Sequence, residues 1–243
     1  MSNRPGRSKS ASQRVRAASN AGKSRSTTWI WIGIVVVVVV VGVVAIVAGR
    51  GGSSSGGGAS PSGGTIVPSG NVEYGQVAVS GAALPQMSDT GTDPAVGSVF
   101  PSITGQQFDG KQLTIAPDGK PHIIMVVAHW CPHCQAEVPR IQKWLDKDGM
   151  PADVELVTVA TSNDPAKGNF PAADWLRREK WSVPTIVDDK QTQAGTALGV
   201  SGFPYFIVTD AQGKVVYRTS GEKTEAEWNA LLQAARTGKA PSA

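Results

Sequence analysis

The most apolar stretch of the chain is residues 29–48, WIWIGIVVVVVVVGVVAIVA, which contains no charged residue. At a rise of about 1.5 Å per residue, a helix of this length spans roughly 30 Å, the thickness of a bilayer core. A strand of this length would lie far outside the usual range of about 3–10 residues. A cleaved signal peptide is the alternative, but its apolar core is usually about 7–15 residues long and ends at an A-x-A-like site, which is not evident here. The run therefore predicts an uncleaved transmembrane helix over 29–48.

Shorter apolar patterns after residue 97 predict alternating strands and helices. Asp109-Gly110 lies between two alternating runs, as in a hairpin turn. The apolar runs HIIMVVAH and VELVTVAT are typical of strands buried on both faces, and apolar residues at helical spacing follow residue 134. Further helices are predicted within 170–180, within 190–200 and after a Thr224–Glu227 capping box, and further strands within 183–189 and 205–219. The order predicts an α/β fold with a mixed sheet flanked by helices and preceded by an N-terminal β-hairpin.

Composition, together with the apolar run 29–48, divides the chain into four parts. Residues 1–28 contain seven basic residues and no acidic one, which predicts a disordered basic tail. Residues 49–96 begin with a Gly/Ser-rich linker and continue as a loosely structured segment in which NVEYGQVAVSG suggests a strand. Residues 97–243 are predicted to form the folded domain.

The distribution of charge predicts the orientation in the membrane. The excess of basic residues before the apolar run keeps the N-terminus in the cytoplasm, which places the folded domain outside. The tail and Arg50 hold eight of the 23 basic residues, so the remaining fifteen are outnumbered by the 19 acidic ones. The external domain therefore has no electrostatic reason to bind nucleic acid.

Both cysteines lie in the motif HWCPHC, at the predicted junction between a strand and a helix. Residues three apart in the first turn of a helix face the same side, within reach of a disulfide. Unpaired N–H groups at the helix start stabilise a thiolate at Cys131, and His133 can add a positive charge or a hydrogen bond. Pro132 suits the first turn because its missing N–H would have no partner there. This pattern predicts thiol–disulfide exchange through a mixed disulfide, with Cys131 attacking and Cys134 resolving.

Two other interpretations of the motif remain open. His129, Cys131, His133 and Cys134 are all residue types that bind zinc, although four ligands within six residues do not easily converge in a tetrahedron and no second Cys/His cluster is present. A purely structural disulfide is the other, although a loop of two residues does little to restrict the unfolded chain. A binding module for a metal or a protein partner, with incidental thiols, is thus the competing functional class.

The motifs WCPHC and GFP, in this order around strands and helices, resemble the thioredoxin superfamily. The similarity is to the membrane-anchored TlpA/ResA-type oxidoreductases of bacteria and covers roughly residues 97–240. VGSVFPSITGQQFDGKQLTI resembles the N-terminal hairpin of that family, and AHWCPHCQAEVPRI resembles its active-site motif. VPTIVDDKQTQAGTALGVSGFPYFIVTDAQGKVVYRTSG resembles its second half. Two departures are evident: Met125 replaces the buried carboxylate of thioredoxin, and Pro132-His133 is the dipeptide of DsbA-type oxidases.

The resemblance implies roles for individual residues. Cys131 would be the exposed nucleophile, Cys134 the resolving thiol and Glu137 a proton relay, with an exposed helix position as the alternative for Glu137. Phe203 and a cis-Pro204 would shape the strip that pairs with a substrate chain. Trp130, next to the cysteines, is expected to pack as a lid.

The resemblance also implies partners. They would be thiols or disulfides of exported proteins, including apocytochromes c, and an electron donor or acceptor in the membrane. No metal and no cofactor other than the dithiol is expected, and the direction of electron flow, as TlpA/ResA-like reductase or DsbA-like oxidase, stays open.

Overall fold

Eight strands form one mixed sheet in residues 72–88 and 92–242, the part of the chain that the computed structural model describes. The strands are β1 (Val77–Ser80), β2 (Ser102–Gln106), β3 (Gln112–Ile115), β4 (His122–Val127), β5 (Glu155–Ala160), β6 (Thr185–Val187), β7 (Tyr205–Thr209) and β8 (Val215–Ser220). The helices are α1 (Pro132–Asp148), α2 (Ala172–Arg178), α3 (Gln193–Ala197) and α4 (Glu225–Thr237). The predicted α/β order is confirmed from β2 to α4.

The sheet follows the order β1-β2-β6-β5-β4-β7-β8, with β3 paired to β2. The pairs β4–β5 and β5–β6 are parallel, whereas β7 lies antiparallel to both β4 and β8. A single pairing, Gln106 with Val187, joins the N-terminal hairpin to this central part. This is a thioredoxin-like mixed sheet.

Strand β4 lies at the centre of the sheet and is buried on both faces, as its apolar run predicts. Because side chains alternate along a strand, Ile123, Met125 and Val127 face one core cluster, and Ile124 and Val126 face the other. Helices α1, α2 and α4 cover the first face, and α3 covers the second. The strand that leads to the cysteines is thereby held on both sides.

Local signals in the sequence determine several element ends. The predicted hairpin forms between β2 and β3, and Gly110 supplies its residue with positive φ, at 81°. The predicted capping box is present at α4, where the side chain of Thr224 accepts from the backbone N–H of Glu227 and the Glu227 carboxylate accepts from that of Thr224. The rule that caps satisfy otherwise unpaired N–H groups accounts for the start of this helix.

The sheet begins before the boundary predicted at residue 97. Strand β1, which lies within the segment NVEYGQVAVSG, pairs along its whole length with β2. Leu84 and Ala95 are buried in the same core cluster as Phe100 and Ile103. The strand suggested within NVEYGQVAVSG is therefore confirmed, whereas the prediction that residues 49–96 stay outside the folded domain is wrong for the part that contributes β1, Leu84 and Ala95.

The other predicted parts fall outside the described residues. The basic tail 1–28, the apolar run 29–48 and the Gly/Ser-rich stretch that follows it all lie in 1–71. Within 72–88 and 92–242, none of the helices combines the length and apolar character that crossing a bilayer requires.

Arg218 on β8 ties the segment before β2 to the sheet. Its guanidinium is fully buried, donates Nε–H to Asp93 Oδ2 at 2.7 Å and Nη1–H to the Pro85 carbonyl at 2.8 Å, and forms a second contact with Asp93 through Nη2. A buried guanidinium needs such partners, because an uncompensated buried charge is strongly destabilising.

We expect Asp93→Ala to lower the free energy of unfolding by about 3 kcal/mol, because it leaves the buried Arg218 guanidinium without its carboxylate. Urea denaturation of the full-length chain measures this. Asp153→Ala is the matched control: it removes the carboxylate of the exposed Asp153–Arg236 pair and should cost much less, because solvent screens an exposed ion pair. Equal losses in the two variants would show that the contact between Asp93 and Arg218 does not anchor this segment.

Candidate active site

Both cysteines lie where β4 passes into α1. Cys131 is the N-cap residue of the helix, its N–H donates to the Ala128 carbonyl at 3.0 Å, and its carbonyl accepts from Gln135 N–H at 3.1 Å. Pro132 occupies the first helical turn, as predicted. Cys134 follows within that turn, and both cysteines are free thiols in this structure. The strand-to-helix placement predicted from the sequence is therefore present.

The two sulfurs differ in access to solvent. Cys131 exposes 7% of its surface and Cys134 exposes none, so the predicted exposed residue is only slightly open. Burial raises the pKa of the Cys134 thiol well above its ordinary value, because the interior disfavours the thiolate. A neighbouring charge on Cys131 or Glu137 acts in the same direction. Cys131 is thus the sulfur that an external reactant can reach.

The loop before β7 forms the opposite wall of the site. The Phe203–Pro204 peptide bond is cis, the form that the resemblance implies, and Cys131 Sγ lies 3.7 Å from the Phe203 carbonyl oxygen. Pro204 is buried, and its carbonyl accepts from Gly221 N–H at 2.9 Å and from Ser220 Oγ at 3.1 Å. These contacts hold the loop next to the first cysteine.

Trp130 packs over this wall as expected of a lid. Its ring meets that of Phe203 edge to face with a centroid separation of 5.9 Å, and its Nε1–H donates to the Ser162 carbonyl at 2.8 Å. Both side chains stay partly exposed. Trp130 therefore links the cysteine loop, the Phe203 loop and the loop after β5.

A cleft of about 310 Å³ opens beside Phe203. It is large enough to take a few side chains of a bound polypeptide. Its wall carries several hydroxyl groups, from Thr161, Ser162, Thr192, Thr196 and Ser201.

His129, two residues before Cys131, has a structural role. It is buried, its Nδ1–H donates to the Gly168 carbonyl at 2.8 Å, and its Nε2 accepts from Asp164 N–H at 3.0 Å. Burial lowers the pKa of His129, in keeping with a neutral ring that uses both nitrogens. Because these nitrogens bind backbone groups of the 164–168 loop, they do not converge with the cysteines on a metal.

Glu137 is fully buried, so the alternative of an exposed helix position is wrong. Its Oε2 accepts from Arg140 Nη1 at 2.6 Å, and its Oε1 accepts from Lys223 N–H at 3.1 Å and from Trp228 Nε1–H at 3.2 Å. Burial raises the pKa of the Glu137 carboxyl and outweighs the Lys223 hydrogen bond and the charge of Arg140, which act in the opposite direction. Glu137 lies one turn after Cys134 on the same helix and affects its ionisation.

Two charged residues that the sequence reasoning missed extend this site. Glu222 binds His133 Nδ1 through Oε1 at 2.8 Å and Arg140 Nη2 through Oε2 at 2.8 Å. Arg140 could have been recognised from its i,i+3 spacing to Glu137 on a predicted helix. Glu222 carries no such signal, because it lies 82 residues after Arg140.

One group of residues within the described ranges has the composition of a metal site, at the other end of β4. Asp118, His122 and Glu155 bring their ligand atoms within 4.8 Å of one another, and His122 Nε2 lies 3.8 Å from each carboxylate. Nδ1 of His122 is buried without a hydrogen-bond partner. A metal on Nε2 would force a proton onto this unpaired nitrogen, which is costly, so the geometry fits a metal poorly.

Comparisons with known proteins show which family and which proteins this chain is similar to. The redoxin family model matches residues 95–232. The thiol:disulfide interchange protein DsbE of Pasteurella multocida is 30% identical over 141 residues, which cover 57% of this chain and 73% of that protein. The sporulation thiol-disulfide oxidoreductase A of Bacillus subtilis is 32% identical over 98 residues, covering 40% and 56% of the two chains.

A solved structure supports the fold. The hypothetical protein SMc02350 from Sinorhizobium meliloti superposes with a TM-score of 0.51 over 65% of this chain and 91% of that chain, at 18% identity.

We expect alkylation to distinguish the two sulfurs. Two variants of the reduced full-length chain are compared: Cys134→Ser keeps only Cys131, and Cys131→Ser keeps only Cys134. Iodoacetamide at neutral pH should modify the remaining cysteine at least about tenfold faster in Cys134→Ser, because Cys134 is fully buried and burial disfavours its thiolate. Mass spectrometry of quenched samples gives both rates. After unfolding in urea the two variants should react at similar rates. Similar rates in the folded variants would contradict the difference in burial.

The raised pKa of Glu137 predicts a pH-dependent stability. The folded state binds the proton more tightly than the unfolded state, so this contribution is present below the unfolded pKa and lost as pH rises through the folded pKa. As the pH rises from the ordinary carboxyl range through the raised folded pKa, the unfolding free energy of the wild type should therefore fall relative to that of Glu137→Gln. The fall is about 1.4 kcal/mol for each unit by which the pKa is raised. Urea denaturation of both proteins at several pH values measures it, and a difference that grows in favour of the wild type would have the wrong sign.

Proposed function

The chain belongs to the redoxin family and is a thiol–disulfide oxidoreductase, and we propose that Cys131 and Cys134 are its redox-active pair, acting on exported proteins. The observation that carries the proposal is the unequal access of two sulfurs within one helical turn. An exchange reaction needs one sulfur that meets the client and one that waits until the client is bound. Cys131 and Cys134 have these properties.

The proposed reaction is a pair of thiol–disulfide exchanges. The Cys131 thiolate attacks a client disulfide, a mixed disulfide forms, and one client sulfur leaves as a thiolate that takes up a proton. The Cys134 thiol then loses its proton and attacks Cys131 Sγ, which releases the second client thiol. The client gains two electrons and two protons, and the enzyme ends with a Cys131–Cys134 disulfide. The reverse sequence oxidises a client.

The groups around the sulfurs support this reaction. The Cys134 proton must leave before the second step, and Glu137 is the buried carboxyl that we propose as its acceptor, acting as the relay that the resemblance implies. Its raised pKa brings its protonation nearer to neutral pH, where a general base is most effective. Phe203 and cis-Pro204 would receive the client chain next to Cys131, under Trp130.

We propose net reduction as the direction, in the manner of TlpA/ResA-like proteins. The N-terminal hairpin and the second half of the domain, which resemble those of TlpA/ResA-type proteins, support this choice. The dipeptide Pro132-His133 favours the alternative, a DsbA-like oxidase, because a positive charge beside the first cysteine stabilises the reduced form. Equilibration with glutathione measures how oxidising the cysteine pair is and so distinguishes a reductase from an oxidase.

The remaining features of the proposal follow from the sequence. The enzyme would be anchored by 29–48, with its N-terminus in the cytoplasm and its catalytic domain outside the membrane. Its clients would be cysteines of exported proteins, apocytochromes c among them, and a membrane protein would supply or remove electrons. The reaction needs no cofactor beyond the dithiol.

We expect Cys131→Ser to abolish the reduction of insulin disulfides by dithiothreitol that the full-length protein catalyses. Cys134→Ser should lose turnover but accumulate a mixed disulfide with insulin, because the first step remains possible without the resolving thiol. Turbidity measures turnover, and non-reducing electrophoresis detects the adduct. Ile124→Val, a small buried change in the core cluster on the other face of the sheet, serves as a control and should keep activity. Wild-type activity in Cys131→Ser would favour a binding module with incidental thiols.

A further inference from the structure

Four charged or polar side chains form a continuous chain from the helix surface to the core. His133 Nδ1 contacts Glu222 Oε1 at 2.8 Å, Glu222 Oε2 contacts Arg140 Nη2 at 2.8 Å, and Arg140 Nη1 contacts Glu137 Oε2 at 2.6 Å. One end is the histidine between the two cysteines, whose side chain is 67% exposed, and the other end is a fully buried carboxylate. Nothing in the reaction outlined above uses Glu222.

The chemistry of the first contact fixes which atom carries the proton. The hydrogen bond from His133, and then that from Arg140, lowers the pKa of the Glu222 carboxyl, so Glu222 is ionised at neutral pH. An ionised carboxylate only accepts hydrogen bonds, so His133 Nδ1 must be the donor. The contact with Glu222 therefore fixes which ring nitrogen donates and how the ring is oriented.

The second contact explains why Glu222 stays in place. An exposed ion pair alone contributes little, because ordering two long side chains offsets most of the attraction. Glu222 is instead held by Arg140, which also donates to the Lys223 carbonyl at 3.3 Å and to the buried Glu137. The backbone N–H of Lys223 donates to the same Glu137, so the loop that carries Glu222 is fastened to α1.

A histidine held between the two cysteines affects the two redox states differently. Only the dithiol can form a thiolate, and a nearby hydrogen-bond donor or positive charge stabilises a thiolate. The disulfide carries no charge to stabilise. A group that holds His133 in place therefore favours the dithiol and makes the disulfide a stronger oxidant.

We propose that Glu222 is a positioning residue that acts through His133 to set the redox equilibrium of the Cys131–Cys134 pair. The inference rests on the proposed function, since it concerns the same two sulfurs. A residue of the loop after β8 thereby contributes to the redox equilibrium, which the CPHC motif alone was expected to determine. The inference predicts that removing the Glu222 charge makes the pair less oxidising.

The test is equilibration of the full-length protein with glutathione. One Cys131–Cys134 disulfide and two glutathione thiols give the dithiol and one glutathione disulfide, and trapping with a maleimide gives the equilibrium constant. We expect Glu222→Gln to lower this constant about three- to tenfold, which corresponds to about 14–30 mV. An unchanged or raised constant would overturn the proposal.

Two further variants separate this role from a structural one. Glu225→Gln makes the same charge change three residues later, where the contact is with Lys147 at 3.8 Å, and should leave the constant unchanged. In a His133→Gln background, Glu222→Gln should have no further effect. A full effect in that background would show that Glu222 does not act through His133. If the wild type itself exchanged no disulfide with glutathione, the proposed function would fail as well, whereas normal exchange with no shift in Glu222→Gln would refute this inference alone.

Discussion

The connection between β4 and α1 determines where the two sulfurs lie. Strand β4 is buried on both faces and paired on both edges, so its end cannot move without disturbing the core. Helix α1 starts after four intervening residues and packs Val138 and Ile141 into the same core, which fixes its rotation. With the rotation fixed, Cys134 must point inward, while Cys131, as N-cap, stays at the rim facing the Phe203 loop. A difference in burial between neighbouring sulfurs follows from packing alone.

The Glu137 carboxylate, buried on the same helix as Cys134, needs hydrogen-bond donors to compensate for the loss of water. Glu137 has no exposed surface, and three donors from α1, the loop after β8 and α4 satisfy its oxygens. These donors also fasten that loop to the active-site helix, because Lys223 supplies one of them through its backbone. Arg140 then continues the chain of contacts to Glu222 at the surface. The hydrogen bonds that compensate the buried Glu137 carboxylate thus also position groups on the helix that carries Cys134.

Features carried by local patterns could be predicted from the sequence. The apolar run of β4, the Asp109-Gly110 turn and the Thr224–Glu227 capping box each depend on residues close in sequence, and all are present. The resemblance added the cis peptide bond at Pro204, which spacing alone does not indicate.

Features that depend on distant contacts could not be predicted. The weak alternation of NVEYGQVAVSG suggests a strand, and β1 lies there, but its pairing with β2, which makes it part of the domain, could not be predicted from four residues. The contacts of Glu137 include Trp228, 91 residues away, and those of Glu222 include two residues of α1 more than eighty positions earlier. A second cis bond, Phe170–Pro171, lies in a segment that the sequence presented simply as the start of a helix. Such contacts leave no periodic signal.

The main conclusion is that packing leaves the Cys131 sulfur accessible to a reactant and buries the Cys134 sulfur completely. It can be tested on the unmodified protein by reacting its oxidised form with glutathione, quenching in acid within the first turnover, and locating the mixed disulfide by peptide mass mapping. We expect glutathione on Cys131 in nearly all of the trapped adduct, because Cys134 has no exposed surface. Adduct on Cys134, or an even division between the two cysteines, would contradict the claim.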